Sequence, residues 1–265
     1  MHTPAPSTHH LSFCILAVIC ASVPTAWAQW AQIPETAPRA GDGRPNLSAP
    51  APRLPDGRPD LSGVWAAPGG RYVQNVAADL KPGDVPYQPW AKALTDARAD
   101  GSQERESPSV SCLPPGVPRI TYAPPPWKLV QSNGFIVILY EAYNLWRQIF
   151  LDGRAPVSDP NPSWLGYSVG RWEGDTLVVE TSGFNGKTWL DQHGKPTTEA
   201  LRVTERFRRR DFGHMDIQIT IDDPKAYTRP WTVTVPVTLQ VGAEILEFVC
   251  ENNRDLELLG GVPRR

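Results

Sequence analysis

The sequence predicts a mainly β protein: an antiparallel up-and-down barrel with an extended N-terminal arm and one short helix. Three observations carry that expectation. Successive segments in the last third alternate apolar and polar residues with period two, the pattern of half-buried antiparallel strands. Proline is abundant, at 29 of 265 residues, which disfavours helices and suits loops and sheet edges. Nine or so strands in meander order favour closure, because closing a sheet on itself removes its exposed edges.

The chain opens with an apolar run, Leu11 to Ala21, too short to span a membrane. Ala26-Trp27-Ala28 then has the small-x-small pattern of a signal-peptidase site. Residues 1–28 are therefore expected to be a cleaved export signal, although His2, His9 and His10 precede the run where Lys or Arg is usual. A lipid anchor at Cys20 is the competing reading. Ile19 stands against it, being bulky where such sites take a small residue. Export puts the protein in the periplasm or outside the cell. No later apolar stretch has membrane-spanning length, and a net charge of −2 gives no reason to expect nucleic acid or an anionic membrane as partner.

Residues 29–59 read as an arm rich in Pro, Gly, Ala and Arg without apolar periodicity. Within it Asp42-Gly43-Arg44-Pro45-Asn46-Leu47-Ser48 recurs as Asp56-Gly57-Arg58-Pro59-Asp60-Leu61-Ser62. The first copy is either a decayed duplicate or a strap around the domain. The barrel domain is expected over 60–265, starting with a strand at Gly63-Val64-Trp65. Residues 88–100 are the one helix candidate, with Trp90, Leu94 and Ala97 at helical spacing.

Strands are expected at Trp127 to Gln131, Gly134 to Ala142, Leu145 to Leu151, Gly166 to Glu173 and Thr176 to Thr181. In the last third the inward sets are Leu201, Val203, Glu205 and Phe207; then Met215, Ile217, Ile219 and Ile221; then Trp231, Val233, Val235, Val237 and Leu239. Glu244 to Cys250 is expected to close the series as the last strand. Removal of the signal leaves two cysteines, Cys112 and Cys250. In an exported chain this favours one disulfide, tying the segment before the central strands to that last strand.

Gly63-Val64-Trp65 resembles the Gly-x-Trp opening of lipocalin-like (calycin) barrels, in which the Trp plugs the closed end. A wider set of motifs resembles a family of secreted bacterial proteins of unassigned function. It comprises Pro59 to Trp65 (PDLSGVW), Gly170 to Leu177 (GRWEGDTL), Thr204 to Phe207, and Thr220 to Pro224 through Pro230-Trp231. The resemblance runs from about residue 59 to residue 255. It implies export and a β architecture, and it brings no catalytic residue with it.

The residues themselves offer candidates. Strand alternation puts Glu205 on an apolar face, where a carboxylate is costly unless paired or protonated. It is either a general acid or base in the barrel interior, or one half of a buried ion pair with an arginine such as Arg147 or Arg171. His193 sits in a turn two residues after Asp191, which could orient its imidazole; an exposed loop histidine is the plainer reading. His214 has outward parity. Asp175, Asp222 and Asp223 fit ordinary turn chemistry.

Tyr140, Trp172 and Trp231 belong to an aromatic reserve that could wall a site for a flat or apolar molecule, with Arg147 and Arg171 anchoring an anionic or phenolic group. The same aromatics could instead fill the barrel. No metal-ligand motif, phosphate-binding loop, dinucleotide fingerprint or nucleophile elbow is present, so no metal or other cofactor is expected. The expected function is a cofactor-independent enzyme working on a small aromatic or hydrophobic molecule by lyase-, isomerase- or hydrolase-type acid–base chemistry. The alternative is a periplasmic carrier or sensor for such a ligand. A filled barrel acting as an envelope interaction module is a third reading.

Overall fold

The computed structural model describes residues 37–157 and 161–250; the expected export signal lies outside them. Nine strands carry the fold: β1 (Gly63–Ala66), β2 (Trp127–Ser132), β3 (Phe135–Tyr140), β4 (Leu145–Phe150), β5 (Tyr167–Glu173), β6 (Thr176–Ser182), β7 (Arg202–Arg209), β8 (His214–Asp222) and β9 (Trp231–Leu239). They follow one another around a closed ring in sequence order, and β9 returns to β1 through Trp65 opposite Leu239 and Ala66 opposite Thr238.

The up-and-down order is broken at one place. Strands β4 and β5 run parallel, touching only at Ile149–Ser168 and Phe150–Val169, while every other neighbouring pair is antiparallel. Geometry demands such a break. A closed ring with an odd number of strands cannot alternate direction at every step. The chain meets the demand with the long connection 151–166 between β4 and β5, since parallel neighbours cannot be joined by a tight turn.

The alternation expected of β7, β8 and β9 holds. Val203, Glu205 and Phe207 are buried, as are Met215, Ile217, Ile219 and Ile221, and Trp231, Val233, Val235 and Val237. Their neighbours on the outer face are mostly threonines, arginines and acidic residues, so one side of each strand meets water.

Residues 244–250 are not a strand. The ring is already shut by β1 and β9, so no free edge remains to pair with them. They lie instead along the β3–β4 turn. Lys128 Nζ meets Glu244 Oε1 at 2.5 Å, Leu246 N donates to Glu141 Oε2 at 2.8 Å, and Asn144 exchanges hydrogen bonds with the Phe248 backbone. The disulfide between Cys112 and Cys250 is present, with Cα atoms 5.6 Å apart. It fastens the tail beyond the last strand, rather than the strand itself, to the segment ahead of β2.

Two helices accompany the barrel among the described residues. The expected one is α2 (Pro89–Arg98), and a single turn, α1 (Arg71–Gln74), was not marked by any periodicity. Both belong to the long insertion between β1 and β2, which closes one end of the barrel. Its last turn, Arg119–Tyr122, is a 3-10 segment buried at all four residues. Tyr122 donates to the Leu190 carbonyl at 2.6 Å and Trp127 Nε1 to the Thr121 carbonyl at 3.0 Å, locking this turn against the loop 183–201 and the start of β2.

The opposite end is closed by Trp65, which is fully buried and donates from Nε1 to the Leu61 carbonyl at 3.0 Å. The Arg209 guanidinium lies 5.0 Å from the Trp65 ring centroid and donates to the carbonyls of Asp60, Asp211 and Phe212. Burial lowers its pKa, with Asp60 and Asp211 pulling the other way. The two arm repeats fold alike. In each, an arginine four residues before a glycine donates to that glycine's carbonyl at 2.8 Å (Arg39 to Gly43, Arg53 to Gly57), and an aspartate accepts from the backbone two residues on. The first copy straps the β7–β8 turn, where Gly213 N donates to the Leu47 carbonyl at 2.7 Å. The second pairs Arg53 with Asp175 at the β5–β6 turn.

Gly63 sits at φ +139°, and a Cβ there would stand 2.5 Å from Leu239 Cδ1, at the β1–β9 closure. Gly63→Ala is expected to cost about 1–3 kcal/mol from backbone strain and crowding. Urea denaturation should show a lower midpoint with an unchanged slope.

Candidate functional site

Each strand from β4 to β7 sends one polar side chain into the barrel at a common level. Arg147 comes from β4, Ser168 from β5, Thr181 from β6 and Glu205 from β7. Arg147 Nη2 stands 2.6 Å from Glu205 Oε2, and the two side chains are 2% and 0% exposed. The guanidinium also donates to Thr181 Oγ1 at 2.7 Å and to Ser168 Oγ at 2.9 Å, and those two hydroxyls are 3.0 Å apart. From the buried turn Arg119–Tyr122, Thr121 Oγ1 reaches Glu205 Oε1 at 3.4 Å.

The cluster keeps spare hydrogen-bonding capacity. Arg147 Nη1 and the Tyr140 hydroxyl are buried without an aligned hydrogen bond, and Glu205 Oε2 has the ion pair but no aligned donor. Such atoms are uncommon in protein interiors, where buried polar groups are nearly always satisfied. Burial pushes the Tyr140 phenol above its ordinary value; the Arg147 charge opposes this, the Glu205 charge adds to it, and loosely aligned contacts of its hydroxyl with Arg147 and Thr121 lower it again in part. Burial alone would lower the Arg147 guanidinium, but the Glu205 carboxylate and Tyr140 beside it carry it above its usual value.

The candidates read from the sequence separate into two groups. Arg147, Glu205 and Tyr140 come together inside the barrel. Trp172 and Trp231 also project inward, each with a buried, unpartnered Nε1, and Trp231 packs edge-on against Tyr227 at 5.4 Å. Arg171 lies on the outside of β5, where it pairs with Glu180 and Glu173. Of the two arginines considered as partners for Glu205, it is Arg147 that meets it.

Asp191 and His193 are on the loop between β6 and β7. Asp191 is fully buried, and its carboxylate accepts from Val76 N at 3.0 Å and Lys195 Nζ at 2.7 Å; Lys195 also reaches Asn75. These bonds pin the loop to the β1–β2 insertion. His193 is half-buried, with its backbone N donating to the Gln74 carbonyl. Asp223 does similar work, accepting from Thr198 N and Oγ1. His214 pairs with Asp211 at the Trp65 end.

The sequence reading missed Ser168, Thr181 and Thr121. For Thr181 a signal existed, since it shares the inward parity of Leu177 and Val179; for Ser168 there was little, since β5 does not alternate cleanly. For Thr121, in a non-repeating Pro-rich segment, there was none. Among the described residues no group of three His, Cys, Asp or Glu side chains gathers as a metal site. No protein-family model matches this chain, and no curated protein matches it either.

Two outcomes are expected. Arg147→Met or Glu205→Leu alone should each cost about 3–5 kcal/mol, because each strands a buried charge, whereas the double variant should recover most of the loss. Denaturant titration of the three variants checks this. The phenols of Tyr122, Tyr140 and Tyr227 are all raised, chiefly by burial. The unfolded chain therefore gives up these protons first. Stability should hold up to the ordinary value of 10.0 and fall as pH rises beyond it. Ultraviolet difference absorption should show their phenolate signal appearing together with unfolding.

Proposed function

We propose that this is an exported, cofactor-independent enzyme that takes a small aromatic or hydrophobic molecule bearing one polar group into the barrel and works on it by acid–base chemistry. The observation that carries this reading is the convergence of Arg147, Glu205 and Tyr140 within the barrel, with polar atoms still lacking aligned partners. In this scheme Glu205 moves the proton and Arg147 faces the developing negative charge, while the Tyr140 hydroxyl orients the polar group. Aromatic walls at Trp172 and Trp231 would hold the ring or apolar body. The proposal rests on Glu205 rather than on His193, whose neighbour Asp191 is engaged by Lys195 and Val76.

Entry would be from the end closed by the Arg119–Tyr122 turn, since Thr121 of that insertion is bonded to Glu205. Export is supported by the residue 1–28 pattern and by the disulfide. Closure by Trp65 agrees with a calycin-like barrel. A carrier without turnover is the second reading, favoured by the charge balance already present in the Arg147–Glu205 pair.

The test uses Tyr140→Phe, because removing a hydroxyl with no aligned bond leaves the fold within about 1 kcal/mol of the parent. Parent and variant are incubated with a mixed panel of small aromatic and apolar compounds, and free and bound fractions are weighed by mass spectrometry. A new mass accumulating beyond stoichiometry with the parent, and at least tenfold more slowly with Tyr140→Phe, is the expected result. A compound enriched unchanged on the parent moves the assignment to a carrier. Turnover that survives intact in Glu205→Gln removes Glu205 from the mechanism.

A further inference from the structure

The barrel interior holds more idle donors than idle acceptors. Among the described residues, two indole nitrogens are buried there without a partner, Trp172 Nε1 and Trp231 Nε1, in addition to Arg147 Nη1. The register places the two indoles on either side of the polar cluster. Trp172 stands opposite Leu177 on β6, which faces Phe207 on β7, two residues past Glu205. Trp231 stands opposite Ile221 on β8, which faces Val203 on β7, two residues before Glu205. Each indole is therefore one inward position from the level of Glu205, about 7 Å along the strand. One comes from β5 and the other from β9, each two strands from β7 on opposite sides.

The chain satisfies its other large interior indoles. Trp65 and Trp127 are fully buried, and they donate to the Leu61 and Thr121 carbonyls, each at 3.0 Å. A buried N–H with no acceptor is rarer than an under-used carbonyl, and a phenylalanine at 172 or 231 would line the same wall without one. An indole can only donate, and so can a guanidinium. The acceptors nearby are engaged. The Ser168 and Thr181 hydroxyls accept from Arg147 and bond each other, and Glu205 Oε2 carries the ion pair with Arg147. Charge is balanced as well, one guanidinium against one carboxylate. An anionic ligand would add a second negative charge beside Glu205, where burying an unpaired charge is costly.

We propose that the interior site takes an uncharged, quinone-like aromatic carbonyl compound with acceptor oxygens at opposite ends, which accept from the indole N–H groups of Trp172 and Trp231. This rests on the interior cluster being a ligand site, and it names the chemistry of the occupant. Two donors on opposite sides of the cluster call for acceptors at both ends of the ring. The absence of idle acceptors calls for a ligand without donors of its own. The apolar body of the ring lies against the inward aliphatic and aromatic side chains between the two levels.

Equilibrium dialysis of the full chain with three compounds of similar size tests this. Duroquinone has two opposed carbonyls and no donor, durene has neither, and terephthalate has two opposed carboxylates. Duroquinone is expected to bind at one site, at least tenfold more tightly than either of the others. Trp172→Phe and Trp231→Phe should each weaken duroquinone about fivefold, as loss of one hydrogen bond implies, and should leave durene within about twofold. Unchanged durene binding shows that the wall still stands in each variant. The proposal is overturned if durene or terephthalate binds as tightly as duroquinone, or if both Trp→Phe variants keep the parent's duroquinone affinity. If none of the three binds while the mixed panel gives turnover, the interior enzyme reading stands and this one falls. If neither experiment gives binding, both fall.

Discussion

A ring of nine strands must contain at least one parallel pair, and in this protein the β4–β5 seam absorbs that necessity. Only two residue pairs join β4 to β5, against five to eight at most of the other junctions. The backbone ladder is as thin there as at the β1–β9 closure, which also has two pairs. The side chains meet it from within: Arg147 on β4 donates to Ser168 on β5 and Thr181 on β6, and pairs with Glu205 on β7. One guanidinium spans the seam and the two strands beyond it, something that its planar fork of five donors can do and a lysine cannot. The most polar spot of the interior therefore lies at the one parallel junction of the sheet, where the backbone ladder is short.

The two ends of the barrel are closed by different means. At the Trp65 end a single aromatic side chain lies under the Arg209 guanidinium, whose donors are spent on three carbonyls, and the arm repeats brace the neighbouring turns. The other end is closed by loop on loop. The insertion between β1 and β2 and the loop between β6 and β7 are joined through Tyr122 to Leu190, Asp191 to Val76 and Lys195 to Asn75. Loops held by a handful of side-chain bonds open more readily than strands held by a ladder. This asymmetry is the physical ground for placing ligand entry at the loop-covered end.

How far the sequence disclosed this follows from what periodicity can encode. Strands β7 to β9 alternate cleanly because one face of each is apolar and the other meets water, so the inward place of Glu205 was legible. Its partner was narrowed to Arg147 or Arg171 but not chosen between them. In β5 the inward positions are held by Ser168, Gly170 and Trp172, while Val169 points outward, so no alternation marks Arg171 as an outer residue. The tail 244–250 has the composition of a strand, but whether it can pair depends on an edge that β1 had already taken. That is a fact about closure, which no local pattern carries. The turn at Arg119–Tyr122 was silent for a third reason: it is held by side-chain-to-backbone bonds among prolines, with no repeat to read.

A buried ion pair is by itself weak evidence for either stability or function, since apolar residues of similar volume often serve as well. What distinguishes this one is its incompleteness. Had the pair served only to stitch the seam, Ser168, Thr181 and Thr121 would be its natural complement, and a phenylalanine at position 140 would fill the same space without burying a hydroxyl. Instead Tyr140 stands beside Arg147, Thr121 and Glu205 with its phenol pushed up by burial and its hydroxyl in contact with Arg147 and Thr121 but without a well-aligned bond to either. Burying a hydroxyl whose bonds are poorly aligned carries part of a penalty that reaches on the order of 1–3 kcal/mol when no bond is made. Even a part of that penalty, placed where Arg147 Nη1 and Glu205 Oε2 also lack aligned bonds, argues for a third party that completes the set, and it is this excess over structural need that gives the interior cluster its claim to be a site.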